Sequence, residues 1–254
     1  MMYMPPRPVA RPVLGAVSAL LLAALFSGCA SGPGASPKDP LEPMNRSISR
    51  FNDTLDDNVL KPVSRGYRDN VPQPVQTGVR NFFNNLSDVW STVNNGLQLK
   101  GRNTAESCMR VVVNTVFGIY GVFDVATAIG LERHPRDFGE TLAVWGVPDG
   151  PYLVLPLFGP STVRDTAGMP VDWSMDLVHS IDSIPTRNSV MSLRLVEKRA
   201  GLLQATNLLE DASLDKYSFI REAYLQHRRW EIYDGNPPDE DNGDDASPAE
   251  SAPQ

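Results

Sequence analysis

Phe82, Leu86, Val89, Val93 and Leu97 recur at the three- and four-residue spacing of one helical face, widened by Phe83 and Trp90. The opposite face is Asn84, Asn85, Ser87, Asp88, Ser91, Thr92, Asn94 and Asn95, polar but almost uncharged. A helix on an aqueous surface usually carries Lys and Glu there. An amide-and-hydroxyl face can border a wet cavity, touch lipid headgroups or simply face solvent. A stripe this long dictates a helix over this segment.

Neighbouring segments repeat the period. Ile48, Phe51, Leu55 and Val59 mark an earlier helix, and Lys61-Pro62 is expected to break it. Val71-Pro72-Gln73-Pro74 suits a helix start, where proline costs little. Beyond Gly101, Met109, Val112, Val113, Val116, Phe117 and Tyr120 form a stripe that Val111 and Ile119 nearly wrap around the helix. Such a helix is central to a core or faces acyl chains. Gly118 and Gly121 end it, and Phe123 to Ile129 is a short apolar helical turn. Leu193, Val196, Ala200 and Leu203 face away from Glu197, Lys198 and Arg199 on a later helix. The last helix carries Ile220 and Tyr224 and ends in His227, Arg228 and Arg229, placed to meet the helix dipole or lipid phosphates.

Between Gly139 and Pro160 the texture changes. Glycine and proline punctuate an apolar run with Trp145, Tyr152, Leu153, Leu155, Leu157 and Phe158. No continuous helix survives that density, and an extended loop or hairpin is expected. Ser161-Thr162-Val163-Arg164-Asp165 offers a helix cap after it.

The N-terminus is a leader. Arg7 and Arg11 precede an apolar run from Val13 to Leu25, then Phe26-Ser27-Gly28-Cys29. A basic region, a short apolar stretch and small residues at a cut site make a secretory signal. The run is too short to span a bilayer, and no later stretch is long enough. Ser27-Gly28-Cys29 resembles a lipobox, which marks Cys29 for acylation; an ordinary cleavage site with a chance cysteine is the other reading. The division expected is a leader over 1–28, a Gly/Pro/Ser-rich tether over 29–38, a helical domain over 39–233 and a disordered acidic tail over 234–254.

The net charge is −7, and removing Arg7 and Arg11 takes it to −9. Seven acids and no base lie beyond Glu231, so the body itself is near −2. Nucleic-acid binding needs a basic stripe, so it is no partner here. With Cys29 acylated, Cys108 has no partner and is expected to be a buried, inert thiol. The three histidines show no metal spacing, and G-x-S-x-G, P-loop and G-x-G-x-x-G are absent. No catalytic residue, metal site or cofactor is expected, and no enzyme. His179 near Asp176 and Asp182 reads as a helix-end feature.

Five ordered motifs resemble the VacJ/MlaA lipoproteins. They are Asp39-Pro40-Leu41-Glu42-Pro43-Met44-Asn45-Arg46, Val71-Pro72-Gln73-Pro74, Asn114 to Gly118 with Phe123-Asp124-Val125-Ala126, Gly150 to Asp165, and Arg221-Glu222-Ala223-Tyr224. They span about Asp39 to Trp230. The resemblance implies an all-α fold, a ring of amphipathic helices around a channel. It implies an outer-membrane lipoprotein that removes mislocalised phospholipid from the outer leaflet and passes it to a soluble periplasmic carrier. A trimeric porin is the implied membrane partner. Ala30, rather than Asp, after the acylated cysteine agrees with outer-membrane export and a periplasmic-side anchor. The rival is a structural lipoprotein that braces a porin or envelope complex without moving lipid. Channel or hinge candidates are Asn84, Asn85, Asn94, Asn95, Trp145, Gly150, Tyr152 and Phe158. The segment from Phe138 to Val163 is expected to be a lip or hinge beside the channel that sets its width, the other reading being a loop packed on the core.

Overall fold

The structure is a computed structural model and describes residues 39–238. Helix α1 (Glu42–Leu55) runs through a π-helical turn (Asp56–Leu60) directly into α2 (Lys61–Asn70). The expected break at Lys61-Pro62 is not there. A proline ring strikes the carbonyl four residues back, here that of Asn58, and a wider turn ahead of it relieves the clash. Helix α3 (Gln73–Leu97) starts at the anticipated proline pair, and α4 (Gly101–Val116) returns against it. A single turn, α5 (Val125–Ala128), is capped by Asp124.

The Gly/Pro-rich region is more ordered than a loop. Helix α6 (Phe138–Val144) occupies its start, capped by Asp137. A hairpin follows, β1 (Tyr152–Leu155) antiparallel to β2 (Gly159–Thr162), with Tyr152 opposite Thr162 and Leu155 opposite Gly159. The Thr162 side chain then caps α7 (Val163–Met175) by accepting from the Asp165 amide, as the sequence suggests. Two long helices, α8 (Ile184–Ala212) and α9 (Lys216–Ile232), close the described chain.

The packing partners form a closed circuit. Helix α2 packs on α8, α8 on α3, α3 on α6, α6 on α9, α9 on β2, and β1 on α1, which leads back into α2. Hydrogen bonds tie the joints. Ser64 donates to the Val196 carbonyl (3.3 Å), Thr141 to Asn94 (2.8 Å), and Lys216 to Asp53 (2.8 Å). Two asparagines of α1, two turns apart, clamp the hairpin. Asn45 donates to the Tyr152 carbonyl and accepts from the Val154 amide, and Asn52 does the same with Leu155 and Leu157.

The interior is polar. The apolar cluster is small, Tyr152 and Val154 against Tyr217 with Ile48, Tyr224 and Leu225 around it. Much of what is buried is Asn, Ser, Asp, Arg and Glu. Large apolar side chains face outward instead, on α3 (Val89, Val93, Leu97), α4 (Met109, Val112, Val116) and the turn after it (Phe117, Ile119, Tyr120). The α4 stripe is therefore not a core stripe, and Val113 alone of it is buried. Cys108, on that outward side, is exposed rather than buried. No helix among the described residues is long and apolar enough to cross a membrane.

Candidate functional site

A cavity of about 650 Å³ lies on the inner side of the circuit, between α3, α8, the 133–137 segment and the ends of α6 and α9. Arg80, Asn84, Ser87 and Ser91 line it from α3, and Arg194, Glu197, Lys198 and Gly201 from α8. Arg133, Arg136, Asp137, Glu140 and Glu231 complete the polar wall. Helix α3 is thus inverted relative to a water-soluble helix, with asparagine and serine inward and valine and leucine outward.

Of the four asparagines expected to line a channel, Asn84 reaches this cavity. The other three are corrected to structural roles. Asn85 donates to Thr115 Oγ1 (3.0 Å) beneath Gly121, where a Cβ would fall 2.4 Å from the Asn85 side chain. Asn94 accepts from Thr141, and Asn95 donates to the His134 carbonyl (3.0 Å). Their partners come from elements distant in sequence, so the helical period alone cannot separate them from Asn84.

The hinge candidates part ways as well. Tyr152 is 1 % exposed and forms the centre of the apolar cluster, so it is no channel lip. The reason is the clamp from Asn45, which fixes the strand against α1. Trp145 is exposed, donates to the Leu97 carbonyl (3.2 Å) and meets Phe138 edge-on. Phe158 is exposed at the hairpin and packs on Trp173 at 5.0 Å. Gly150 takes φ +67°, and a Cβ there would lie 3.0 Å from Val163. Trp145 and Phe158 therefore sit on the outer surface, and neither lines the inner cavity. Cys29 lies outside the described residues.

Buried ion clusters hold the wall in place. Arg228 bonds Asp137 (2.6 Å), Glu140 (3.0 Å) and Asp165 (3.1 Å), joining α9 to α6 and α7. It is not the exposed lipid-facing cation that its place at a helix end suggests. Burial opposes ionisation of Asp165, but Arg228 outweighs it and holds the carboxyl below its usual range. Gly139 makes room for this cluster, since a Cβ would lie 2.6 Å from both Arg228 Nη2 and Asp165 Oδ1. A second cluster joins α3 and α4. Arg110 bonds Asp124 (3.0 Å), the Leu131 carbonyl (2.6 Å) and Thr127, while Arg133 bonds Asp88 (2.7 Å). A third uses the N-terminal motif. Asp39 is fully buried and accepts from Asn45 (2.9 Å), Tyr217 (2.5 Å) and Arg221 (3.1 Å).

One grouping escaped the sequence scan. Glu106, Glu132 and His134 bring ligand-type atoms within 4.8 Å of one another. They come from two elements, so no local spacing reveals them. His134 already pairs with Glu106 (2.6 Å), and Arg102 shares that carboxylate. The cavity-lining Arg80 and Glu197 were also missed as site residues, because a charge on a helix reads first as a solvated face.

Comparisons with known proteins agree with this architecture. Residues 37–231 match the family model described as MlaA lipoprotein. The chain is 38% identical over 217 residues to the Shigella flexneri protein named intermembrane phospholipid transport system lipoprotein MlaA, covering 83% of this chain and 86% of that one. The Haemophilus influenzae protein of the same name is 33% identical over 227 residues, covering 86% and 90%. A solved structure reported as "Structural basis for maintenance of bacterial outer membrane lipid asymmetry" superposes with a TM-score of 0.68 at 35% identity, covering 76% of this chain and 98% of that one. From the family model and the relatives alike, the chain belongs to the MlaA lipoprotein family.

Proposed function

We propose that this protein maintains outer-membrane lipid asymmetry by moving mislocalised phospholipid inward through the cavity between α3 and α8. The observation that carries the reading is the inversion of α3. Val93 is 45 % exposed while the adjacent Asn94 is fully buried, and Val89 against Asp88 repeats the pattern, with Phe83 the apolar residue that turns inward. Soluble proteins rarely expose contiguous apolar surface on this scale, whereas acyl chains accept it without cost. The closed circuit of packing supports a ring in one leaflet, with a polar bore at its centre.

A polar bore is what a phospholipid needs. Its headgroup loses most when stripped of water in hydrocarbon, and a hydrogen-bonding path removes that penalty. The tails can stay in lipid beside the exposed valines. No covalent chemistry is called for. Cys29 acylation anchors the protein, and Ala30 after it places the anchor in the outer membrane on the periplasmic side. A trimeric porin and a soluble periplasmic lipid carrier are the partners of this reading. Direction then comes from lipid excess at one end and the carrier at the other.

Gly201 tests it. This α8 glycine borders the cavity, and nothing lies within 4 Å of a Cβ built there. Gly201→Trp should narrow the bore, from a position where the added Cβ meets no neighbour. Outer-leaflet phospholipid should accumulate as in a strain lacking the protein, while protein level and melting temperature hold. Full rescue by Gly201→Trp would favour the bracing role, in which no lipid passes.

A further inference from the structure

The cavity sorts its charges unevenly. Arg133 is paired with Asp88, Arg136 with Glu140, and Arg194 with Asp176, each within 2.8 Å. Asp137, Glu140 and Glu231 all meet Arg228. Glu197 stands apart. It is only 9 % exposed and lines the cavity, yet it forms no hydrogen bond or ion pair with any described residue. Arg80, facing it from α3, and Lys198, beside it on α8, are both exposed and likewise form no hydrogen bond or ion pair with any described residue. The Arg80 charge is felt at Glu197, but the two do not close into a salt bridge. Nearby, the Tyr67 hydroxyl is buried without a partner and senses both charges.

The Glu197 stem is enclosed while its carboxylate opens onto the cavity, and no described residue neutralises it there. The structure holds the opposite charges apart, across the face of a cavity. A ligand carrying both charges fits such a gap. We propose that Glu197 and Arg80 form a two-part subsite for a zwitterionic phospholipid headgroup with a primary ammonium, phosphoethanolamine. The ammonium donates to Glu197, and the phosphate lies against Arg80 and Lys198. This rests on the cavity being the lipid path.

Alternatives fit less well. A quaternary ammonium donates no N–H to a carboxylate and is held by several aromatic faces. Phe83 is the aromatic residue lining the cavity, and Arg194 already lies 5.8 Å from its ring centre. An anionic glycerol headgroup satisfies Arg80 but leaves Glu197 without a counter-charge. Burial pushes the Glu197 carboxyl up, and a bound ammonium would bring it down again.

The test uses the full, acylated protein in its membrane, with a photoreactive phenylalanine analogue at position 87 in the cavity wall. Captured lipid is identified by mass spectrometry. With Glu197 intact, phosphatidylethanolamine should be enriched over phosphatidylglycerol, relative to the membrane, by about tenfold, the worth of one charge-assisted hydrogen bond. Glu197→Gln, near-isosteric, should bring the ratio back to that of the membrane while total capture persists. Glu197→Asp should remain enriched, and Arg80→Gln should lower capture of both lipids. Capture in membrane proportion, unchanged by Glu197→Gln, overturns the headgroup inference and leaves the lipid path standing. No phospholipid captured in any variant overturns the lipid path, and the inference with it.

Discussion

Glu140 shows how a buried side chain ties this fold to pH. It is almost fully buried between Arg136 (2.8 Å) and Arg228 (3.0 Å). Burial first, then the charge of Asp137, outweigh both arginines and push its carboxyl up to about 7. In the unfolded chain the same group ionises near 4.5. Between those values the folded protein keeps a proton that the unfolded chain has lost. Its contribution to stability is therefore full below about 4.5 and is lost as pH rises through 7. Asp124 acts elsewhere. Burial opposes its ionisation, but bonds from Thr127, Asn114 and Arg110 prevail and hold it at about 2, so its contribution is lost only as pH falls below the usual carboxylate range. In detergent-solubilised protein, Glu140→Gln should flatten the decline in melting temperature between pH 4.5 and 7. An undiminished slope in that variant would assign the decline to other groups.

At the scale of the element, α3 separates what stabilises the protein from what meets its surroundings. Asn94 is fully buried and accepts from Thr141, which also accepts from Gln98 (3.0 Å). Asn94→Leu would strip that network of a partner and should cost about 2 kcal/mol, from unsatisfied buried polar groups. Val93, one residue earlier, points outward. Val93→Ser should leave detergent stability within about 0.5 kcal/mol, as for surface substitutions generally. It should weaken retention of an unacylated form on membranes. Thermal melts and vesicle flotation would read the two separately, and the opposite pattern would mean that α3 is not inverted. The hairpin follows the same logic. Its apolar strand is held by asparagines of α1, so order here comes from Asn45 and Asn52 rather than from a large apolar core.

Across the whole molecule, the circuit closes through polar contacts between segments far apart in sequence. Asp234 is one of them. It pairs with Lys100 (2.7 Å) and with Arg136, so the ordered body runs past the boundary expected at Tyr233. Truncation after Pro238 removes none of these contacts and should leave both melting temperature and lipid clearance unchanged. Truncation after Tyr233 removes Asp234 and should lower stability by roughly 1 kcal/mol, discounted because that carboxylate is half exposed. A loss of clearance from the shorter cut alone would assign a partner role to the acidic run. Asp39 makes the matching closure at the other end, gathering Asn45, Tyr217 and Arg221 from α1 and α9. Two of the ordered motifs that carry the family resemblance, around Asp39 and Arg221, therefore meet in space as braces.

The main helices, the cap at Thr162 and the start at Pro72 were legible in the chain, because period, capping and proline act over a few neighbouring residues; the cap at Asp137 was not among them. Nor was the sense of each helix. A stripe of valine and leucine states that one face avoids water, and both a protein core and an acyl layer satisfy it. Only the tertiary structure decided that Val93 faces outward and Asn94 inward, that Cys108 is exposed, and that Arg228 is enclosed by four carboxylates. The partners that make those choices are brought together by the closed circuit, from positions 40 to 180 residues apart, where no local pattern reaches.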